Sequence, residues 1–280
     1  MNGISQALKA DAALIDRYLE NIFANADSQY QTLFDSMRYS LENGGKRIRP
    51  ILTLEFSRML GGSDEAALPL AAAVEMVHTY SLIHDDLPCM DNDDIRRGKP
   101  TNHKVFGEAT ATLAGDGLLT HAFYVITENN RISSQAALRA VKTLSQCAGI
   151  FGMVGGQQMD MDGEKEKPTI EAHTKMNLKK TGELIKCACL MGCIAANADE
   201  KAFDAAAAYA ERIGLAFQIT DDLLDMGEEE QKTTYLSFYT PDAAKSVARA
   251  LTDAAIEVLR DYPGSELLTS LAEYLYGRTV

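Results

Sequence analysis

Two clusters of aspartates are the strongest chemical feature of this sequence. The first, in residues 81–94, follows a strongly apolar segment and contains Asp85, Asp86 and Asp91. Pro88 cannot continue a helix, so we expect the helix to end there and the chain to bring Asp91 back towards Asp85. Carboxylates at this density repel one another, and Mg²⁺, which bridges protein carboxylates to substrate phosphates, is the natural counter-charge. The alternative is an acidic loop in plain solvent.

The second cluster, Asp221, Asp222 and Asp225, interrupts an apolar helical segment. Asp221 and Asp225 are four residues apart, which predicts that they share one helix face roughly 5–6 Å apart. Like charges at that spacing oppose helix formation unless a cation neutralises them. Neither cluster has the alternating ligands, central glycine and terminal glutamate of an EF-hand. Two such clusters facing each other would hold a diphosphate between them through Mg²⁺.

Three basic segments complement these acids. They are Gly44-Gly45-Lys46-Arg47-Ile48-Arg49-Pro50, Arg96-Arg97-Gly98-Lys99 and Lys179-Lys180-Thr181-Gly182. The first follows a flexible turn and opens a helix, where exposed amides also favour anions. Each segment taken alone is typical of a surface patch. Their occurrence together with both aspartate clusters indicates an anion-binding site.

The overall composition excludes several classes of function. The 280 residues carry a formal charge of -13, which would repel nucleic-acid phosphate. The five cysteines are odd in number and lack CxxC spacing, so we interpret them as core residues and not as disulfides or zinc ligands. Charges interrupt residues 1–25, and Glu75 interrupts the longest apolar stretch, 66–77. We therefore expect a cytoplasmic protein with no stable membrane insertion.

The elements that must position these side chains are predicted to be helices. Apolar residues recur every three or four positions in 4–24, 29–42, 48–60, 64–87, 108–128, 133–151, 170–197, 200–226, 241–261 and 265–276. The turn signals between them are Asn43-Gly44-Gly45, Gly61-Gly62-Ser63, Arg97-Gly98-Lys99-Pro100, Gly155-Gly156 and Pro263-Gly264. No strand and no interdomain linker is predicted. We expect an all-α fold, with residues 1–280 forming one domain of about ten or more helices around a central cavity.

The order of these motifs resembles the trans-type prenyl-diphosphate synthases, or polyprenyl synthetases, and within them the bacterial farnesyl-diphosphate synthases. The similarity extends from about Leu33 to Asp225. The resemblance implies an isoprenoid-synthase fold and a homodimer. It also implies Mg²⁺-dependent head-to-tail coupling of isopentenyl diphosphate to dimethylallyl or geranyl diphosphate, with two or three ions in each active site.

The resemblance also assigns roles to individual residues. Those matching the isopentenyl-diphosphate site are Lys46, Arg49, His78 and Arg97. Those matching the groups that grip the allylic substrate are Arg96, Lys180, Thr181 and Gln218, with Gln158 beside the reacting carbons. The metal ligands would be Asp85, Asp86, Asp91, Asp221 and Asp225. The residues implied to take part in catalysis are Asp85, Asp86, Asp91, Arg96, Lys180, Asp221 and Asp222.

Product length should depend on where a bulky side chain closes the pocket for the hydrocarbon tail. Tyr80 lies five residues before Asp85, about one and a half helical turns away. This aromatic residue, next to Ser81, and the insertion of Pro88 and Cys89 in the first motif resemble the farnesyl-diphosphate synthases. We expect a C15 product, with C10 as a possible stop.

The chain departs from the family pattern after Asp225. A loop with a glycine-flanked lysine is shortened by well over ten residues, and Lys232 corresponds to the lysine that precedes Thr-Tyr in relatives. A lid over the diphosphate would then be reduced. Three alternatives remain open at this point: a geranyl- or geranylgeranyl-diphosphate synthase, a class I terpene cyclase, and a non-catalytic prenyl-binding subunit.

Overall fold

The computed structural model describes residues 2–23, 28–163, 168–226 and 233–279, and helices form most of these segments. The first helices are α1 Asn2–Ile22, α2 Gln31–Leu41, α3 Ile48–Met59, α4 Asp64–Asp85, α5 Asn102–Phe106, α6 Glu108–Thr127 and α7 Ser134–Ala148. They are followed by α8 Met153–Gly163, α9 Ile170–Asn177, α10 Glu183–Ala195, α11 Glu200–Leu224, α12 Pro241–Val258 and α13 Glu266–Tyr276. A π-helical turn, Leu178–Gly182, joins α9 to α10. The all-α prediction is confirmed.

Helix α4 lies at the centre of the bundle. Its N-terminus is capped by the Ser63 hydroxyl, which accepts a hydrogen bond from the Ala66 amide, and Asp64 and Glu65 complement the helix dipole in the first turn. The helix packs against α1, α2, α3, α6 and α10, as its apolar residues on most faces predict. Within the described residues it is the one helix that is long and apolar enough to cross a bilayer. Its most apolar window is 78% buried, as in the core helix of a soluble protein.

Helices α3 and α10 approach each other closely at Gly192. A Cβ atom at this position would lie 2.5 Å from the Phe56 Cβ and 2.6 Å from the Thr53 carbonyl oxygen. The Thr53 hydroxyl donates to the Ala188 carbonyl at 2.9 Å across the same contact. Because α3 begins with the basic segment, this contact fixes the position of that segment against the bundle.

A second, smaller core holds the end of α11. It contains Ile219, Leu223, Tyr235, Ala244 and Ala248, so it joins α11 to α12 and to the short turn at Tyr235. This packing supports the helix end that carries the second aspartate cluster.

Three expectations about local structure are corrected. Gly155-Gly156, predicted as a turn, lies inside α8, because the missing Cβ of Gly156 lets that helix contact the backbone at Lys180. Segment 170–197 is not one regular helix but is divided by the π-helical turn. A short antiparallel pair, β1 Ile95–Arg96 and β2 Lys99–Pro100, is formed where no strand was predicted.

The turn between β1 and β2 lies at the predicted signal Arg97-Gly98-Lys99-Pro100. The strands themselves escaped prediction because two-residue strands leave no alternating pattern. The central residues of the turn, Arg97 and Gly98, have φ of 53° and 76°, the left-handed values that favour a tight turn between antiparallel strands. The cysteine interpretation is also corrected at one position. Cys89 is exposed in the loop after Pro88, whereas the other cysteines are buried.

Candidate active site

A cavity of about 910 Å³ opens where the start of α3, the hairpin, α4 and α11 meet. The predicted site residues that line it are Lys46, Arg49, His78, Arg96, Arg97, Thr181, Gln218 and Asp221. Its apolar lining residues include Leu52, Leu82, Ile185, Ile213, Phe217 and Leu275. Cationic and apolar groups in one cavity suit a ligand with an anionic head and a hydrocarbon body.

The turn that carries Lys46 is shaped by Gly44 and Gly45, whose φ values are 73° and 126°. Arg97 lies over this turn and donates to the Gly44 carbonyl. A Cβ atom on Gly45 would lie 2.7 Å from an Arg97 terminal nitrogen, so only glycine permits this contact. The turn and the hairpin therefore present their basic side chains to the same cavity.

Arg47 anchors the same segment from behind. Its guanidinium is 3% exposed and contacts Glu75 on α4 at 2.6 Å and Asp16 on α1 at 2.8 Å. Burial opposes its charge, but these two carboxylates hold the pKa of Arg47 above its usual value. A further hydrogen bond reaches the Leu41 carbonyl. Sequence reasoning gave Arg47 no role of its own, because spacing alone does not show which of three adjacent cations faces inward.

Arg49 and His78 form a polar contact in the wall of the cavity. The Arg49 guanidinium approaches the His78 Nε2 at 3.5 Å, and since arginine only donates, that nitrogen is the acceptor. Burial, reinforced by the charges of Arg49 and Arg97, holds the pKa of His78 well below its usual value, so the imidazole is neutral. Burial also lowers the pKa of Arg49. This part of the site is short of negative charge and favours an anion.

The first aspartate cluster has the predicted geometry. Helix α4 ends at Asp85, and the Asp91 amide donates to the Asp85 carbonyl at 2.9 Å, so the chain returns after Pro88. Asp86 is buried and accepts from the Arg96 Nε at 2.7 Å. This ion pair orients Arg96, which lines the cavity.

Asp85 is the carboxylate with the clearest need for a cation. Burial raises its pKa to about 6, and the charges of Asp91 and Asp86 act in the same direction. The charges of Lys180 and Arg96 oppose this shift. A cation beside Asp85 would relieve the cost of ionising a partly buried carboxyl group.

The second aspartate cluster is held by three different contacts. Asp221 pairs with Arg278 at 3.0 Å. Asp222 accepts a hydrogen bond from the Tyr235 amide at 2.6 Å, which ties the chain after the shortened loop to α11. Asp225 is exposed at the end of α11, where its amide donates to the Asp221 carbonyl. Burial raises the pKa of Asp221 in spite of the nearby Arg278 and Lys46 charges.

Arg278 is a site residue that sequence reasoning missed. Its guanidinium lies 5.2 Å from the Phe217 ring centroid as well as beside Asp221. The signal for it in the sequence is weak, namely that it is the sole basic residue in 266–280. One terminal nitrogen of Arg278 and the Arg49 Nε are both buried without a hydrogen-bond partner among the described residues. An orphaned donor costs about 1–3 kcal/mol, and a bound anion would satisfy both.

Lys180 lies in the π-helical turn and donates to Asp160 of α8 at 2.6 Å. A Cβ atom on Gly156 would lie 2.2 Å from the Lys180 amide nitrogen. The positions of Gly156 and Asp160, one helical turn apart on α8, therefore determine where Lys180 lies. Sequence reasoning singled out Lys180 but not Asp160.

Three further predicted site residues do not line the cavity. Gln158 is exposed on α8, on the side away from Gly156 and Asp160, and this placement does not support a substrate contact. Tyr80 is buried, with 6% of its surface exposed. Ser81 is half-buried, and its hydroxyl donates to the His78 carbonyl at 2.9 Å. Lys232 lies outside the described residues.

The carboxylates fit a magnesium ion that is only partly coordinated by protein. No group of three or more His, Cys, Asp or Glu side chains forms a closed metal cage in the described part of the chain. Asp86 and Asp221 are engaged by arginines, while Asp85 keeps a raised pKa beside Asp91. Mg²⁺ is typically bound by one or two carboxylates, with water and substrate phosphates completing its shell. The donor set is therefore suitable for Mg²⁺ that arrives with a phosphate ligand.

Comparison with known proteins assigns the family. The family model described as polyprenyl synthetase matches residues 30–235. The chain belongs to the polyprenyl synthetase family. The farnesyl diphosphate synthase of Bacillus subtilis (strain 168) is 47% identical over 76% of this chain and 77% of its own length. The geranylgeranyl diphosphate synthase of Cyanophora paradoxa is 41% identical over 88% of this chain and 87% of its own.

The fold agrees with this membership of the polyprenyl synthetase family. The crystal structure of an FPP/GFPP synthase from Zymomonas mobilis matches with a TM-score of 0.92 and 38% identity, covering 98% of both chains. Because the match covers nearly the whole chain, the helices around the cavity are arranged as in that crystal structure. The chain is therefore a prenyltransferase in its fold and its family.

Proposed function

We propose that this polyprenyl synthetase condenses isopentenyl diphosphate with dimethylallyl or geranyl diphosphate to give farnesyl diphosphate. The observation that supports this most strongly is the cavity that Asp221 and Arg96 both line, with Arg96 held by its ion pair to Asp86. Arg49 and Arg278 add buried donors that have no hydrogen-bond partner among the described residues. These groups suit diphosphates, and the apolar wall suits prenyl chains. The farnesyl diphosphate synthases among its relatives support the same assignment.

Two groups of residues would hold the two substrates. Lys46, Arg49, His78 and Arg97 would bind isopentenyl diphosphate, with neutral His78 accepting from Arg49 and keeping its guanidinium oriented. The residues that would bind the allylic diphosphate are Arg96, Lys180, Thr181 and Gln218, together with Lys232. Two or three magnesium ions would neutralise the diphosphate and make it a better leaving group. Their ligands would be Asp85, Asp86, Asp91, Asp221 and Asp225.

The protein's own contribution to the reaction is electrostatic and steric. Arg96 and Lys180 stabilise the charge that grows on the allylic diphosphate as its C–O bond breaks. The isopentenyl double bond then attacks the allylic cation, and the released diphosphate takes the proton that is lost. The apolar wall, including Phe217 and Ile213, excludes water that would otherwise trap the cation as an alcohol.

Gly156→Ala should impair the allylic side of the site. The new Cβ would displace the backbone at Lys180, and a misplacement of about 1 Å costs on the order of 10²-fold in rate. We expect kcat to fall by about that factor, measured with geranyl and isopentenyl diphosphates. Gly163→Ala, at the end of the same helix with nothing within 4 Å of its Cβ position, is the matched control. Equal rates for the two variants would contradict the positioning role of Gly156.

Tyr80→Ala should lengthen the product. Tyr80 is 6% exposed, and removing its ring opens space along α4 beyond the first aspartate cluster. We expect C20 to replace C15 as the main product, measured by chromatography after dephosphorylation. Tyr80→Phe, which keeps the ring, should retain C15. Unchanged products in Tyr80→Ala would mean that another residue closes the pocket.

One assay tests the proposed function. The purified protein is supplied with Mg²⁺, isopentenyl diphosphate and either dimethylallyl or geranyl diphosphate. A C15 diphosphate is the expected product, and a main product of C10 or C20 would replace farnesyl with geranyl or geranylgeranyl diphosphate synthesis. Cyclic hydrocarbons would indicate a terpene cyclase, and binding without consumption would indicate an inert subunit.

The proposal also includes a homodimer that works in the cytoplasm without stable membrane insertion. Leu113 on α6 and Phe151 before α8 are 57% and 76% exposed, and exposed large apolar side chains of this kind support a protein partner. Light scattering should show a particle of twice the chain mass.

A further inference from the structure

His84, the residue before the first aspartate cluster, connects α4 to α6. Its Nε2 lies 3.0 Å from the Thr112 carbonyl, and since a carbonyl only accepts, this nitrogen carries the hydrogen. Asp116, one turn further along α6, lies 3.9 Å from the same nitrogen. The imidazole is 28% exposed, so it is a partly buried contact between two helices of the bundle.

Gly115 is what makes room for this imidazole. A Cβ atom at this position would lie 2.1 Å from the His84 Nε2 and 2.4 Å from its Cδ2. Glycine within a helix is about 1 kcal/mol less favourable than alanine, so its presence in α6 has a packing reason. The reason here is the side chain of His84, which fits directly against the α6 backbone.

The imidazole also contacts Tyr80. The two rings, four residues apart on α4, have centroids 5.8 Å apart and planes inclined at 84°, an edge-to-face contact. Tyr80 is 6% exposed, so the side chains packed around its ring determine where the ring lies. A chain of contacts therefore runs from the α6 backbone through His84 to the ring assigned as the floor of the tail pocket.

We propose that the contact between Gly115 and His84 determines product length by fixing the position of the Tyr80 ring. His84 is then a positioning residue, because it acts through Tyr80 and not on the substrate. This inference rests on the proposed farnesyl diphosphate synthesis and on Tyr80 as the floor of the pocket. It adds α6 to the elements that select the product.

The variants on the two sides of the contact should change the product in opposite directions. His84→Ala removes the support behind Tyr80, so the ring can retreat and the C20:C15 ratio should rise by about tenfold, a typical discrimination for a small change in pocket volume. Gly115→Ala pushes the imidazole towards Tyr80 and should raise the C10:C15 ratio by about the same factor. Both are measured with dimethylallyl diphosphate, excess isopentenyl diphosphate and Mg²⁺, at equal substrate conversion.

Controls separate this role from a general disturbance. Gly117→Ala, two residues further on α6, meets only the flexible Met37 sulfur at 3.0 Å and should keep the C15 product. His84→Phe retains a ring between Tyr80 and Gly115 and should also keep C15. In the His84→Ala background, Gly115→Ala should no longer shorten the product, because the group it pushes is gone. Melting curves establish that each variant is folded.

The outcomes also distinguish failure of this inference from failure of the proposed function. If the unmodified protein makes no elongated diphosphate, the proposed function itself is wrong. If it makes C15 and both folded single variants give the same product ratios as the unmodified protein, the contact does not select product length. A shift in His84→Phe as large as in His84→Ala would likewise overturn the role of ring packing.

Discussion

Asp85→Asn is expected to lower kcat by about 10³-fold while leaving the protein folded. The substitution removes a carboxylate assigned to the metal, and losing one such preorganised electrostatic group typically costs on the order of 10²–10³-fold. It keeps the size of the side chain. Initial rates with geranyl and isopentenyl diphosphates at saturating Mg²⁺ measure the effect. In a Mg²⁺ titration, the rate of Asp85→Asn should depend less on the Mg²⁺ concentration than the rate of the unmodified protein.

The matched control is Asp94→Asn in the same loop. The Asp94 side chain is 70% exposed and pairs with Lys104 at 2.7 Å, so its loss should change the rate little. A normal rate in Asp85→Asn would mean that Asp85 does not hold the metal. An equal loss in Asp94→Asn would mean that the first cluster acts only through its total charge.

The stability of Asp85→Asn should depend on pH in a defined direction. The pKa of Asp85 is raised from 3.8 to about 6 in the fold, mainly by burial, so the folded protein holds this proton more tightly than the unfolded chain. Ionisation of Asp85 therefore destabilises the folded state above about pH 6, and the penalty disappears as pH falls towards 4. In chelator-treated protein, urea unfolding should find Asp85→Asn the more stable at pH 7 and equal to the unmodified protein at pH 4.

Arg47→Met should lower the free energy of unfolding by about 3–5 kcal/mol. The Arg47 and Glu75 side chains are each 3% exposed, so removing the guanidinium leaves a buried carboxylate without its partner. Urea unfolding at neutral pH measures the loss. The KM for isopentenyl diphosphate should rise too, because Lys46 and Arg49 flank the anchor.

Two comparisons sharpen this test. Adding Glu75→Gln to Arg47→Met removes the stranded charge and should restore much of the stability. Arg260→Met removes a side chain that is 71% exposed and pairs with Glu257, and it should cost less than about 1 kcal/mol. If Arg47→Met unfolds at the same urea concentration as the unmodified protein, Arg47 is not an anchor.

Much of the fold followed from helical periodicity in the sequence. The predicted helix 64–87 corresponds to α4 Asp64–Asp85, and Pro88 ends it as its missing amide hydrogen requires. The return of Asp91 to Asp85 was also predicted, because it depends on a short local turn. Local rules were sufficient wherever neighbours in sequence determine the structure.

Features that depend on contacts between distant segments were not predictable in this way. Gly155-Gly156 is a turn signal in the sequence, but in the structure Gly156 lies within α8 against the backbone at Lys180. The π-helical turn was not predicted because one extra residue barely changes the spacing of apolar residues along the sequence. Arg278 and Asp160 carry no motif that pairs them with Asp221 and Lys180. Each of these contacts joins residues from separate helices, and the chain's local pattern does not specify such pairs.

The helix glycines have a consequence for how this protein tolerates random substitution. Gly115, Gly156 and Gly192 all lie inside helices, where alanine is intrinsically favoured by about 1 kcal/mol. Each nevertheless faces atoms within 2.5 Å of where a methyl group would stand. In a saturation library selected for growth, these positions should be depleted as well as the aspartates. A map of intolerant positions would therefore mark both chemistry and interhelical spacing, and the structure is needed to separate them.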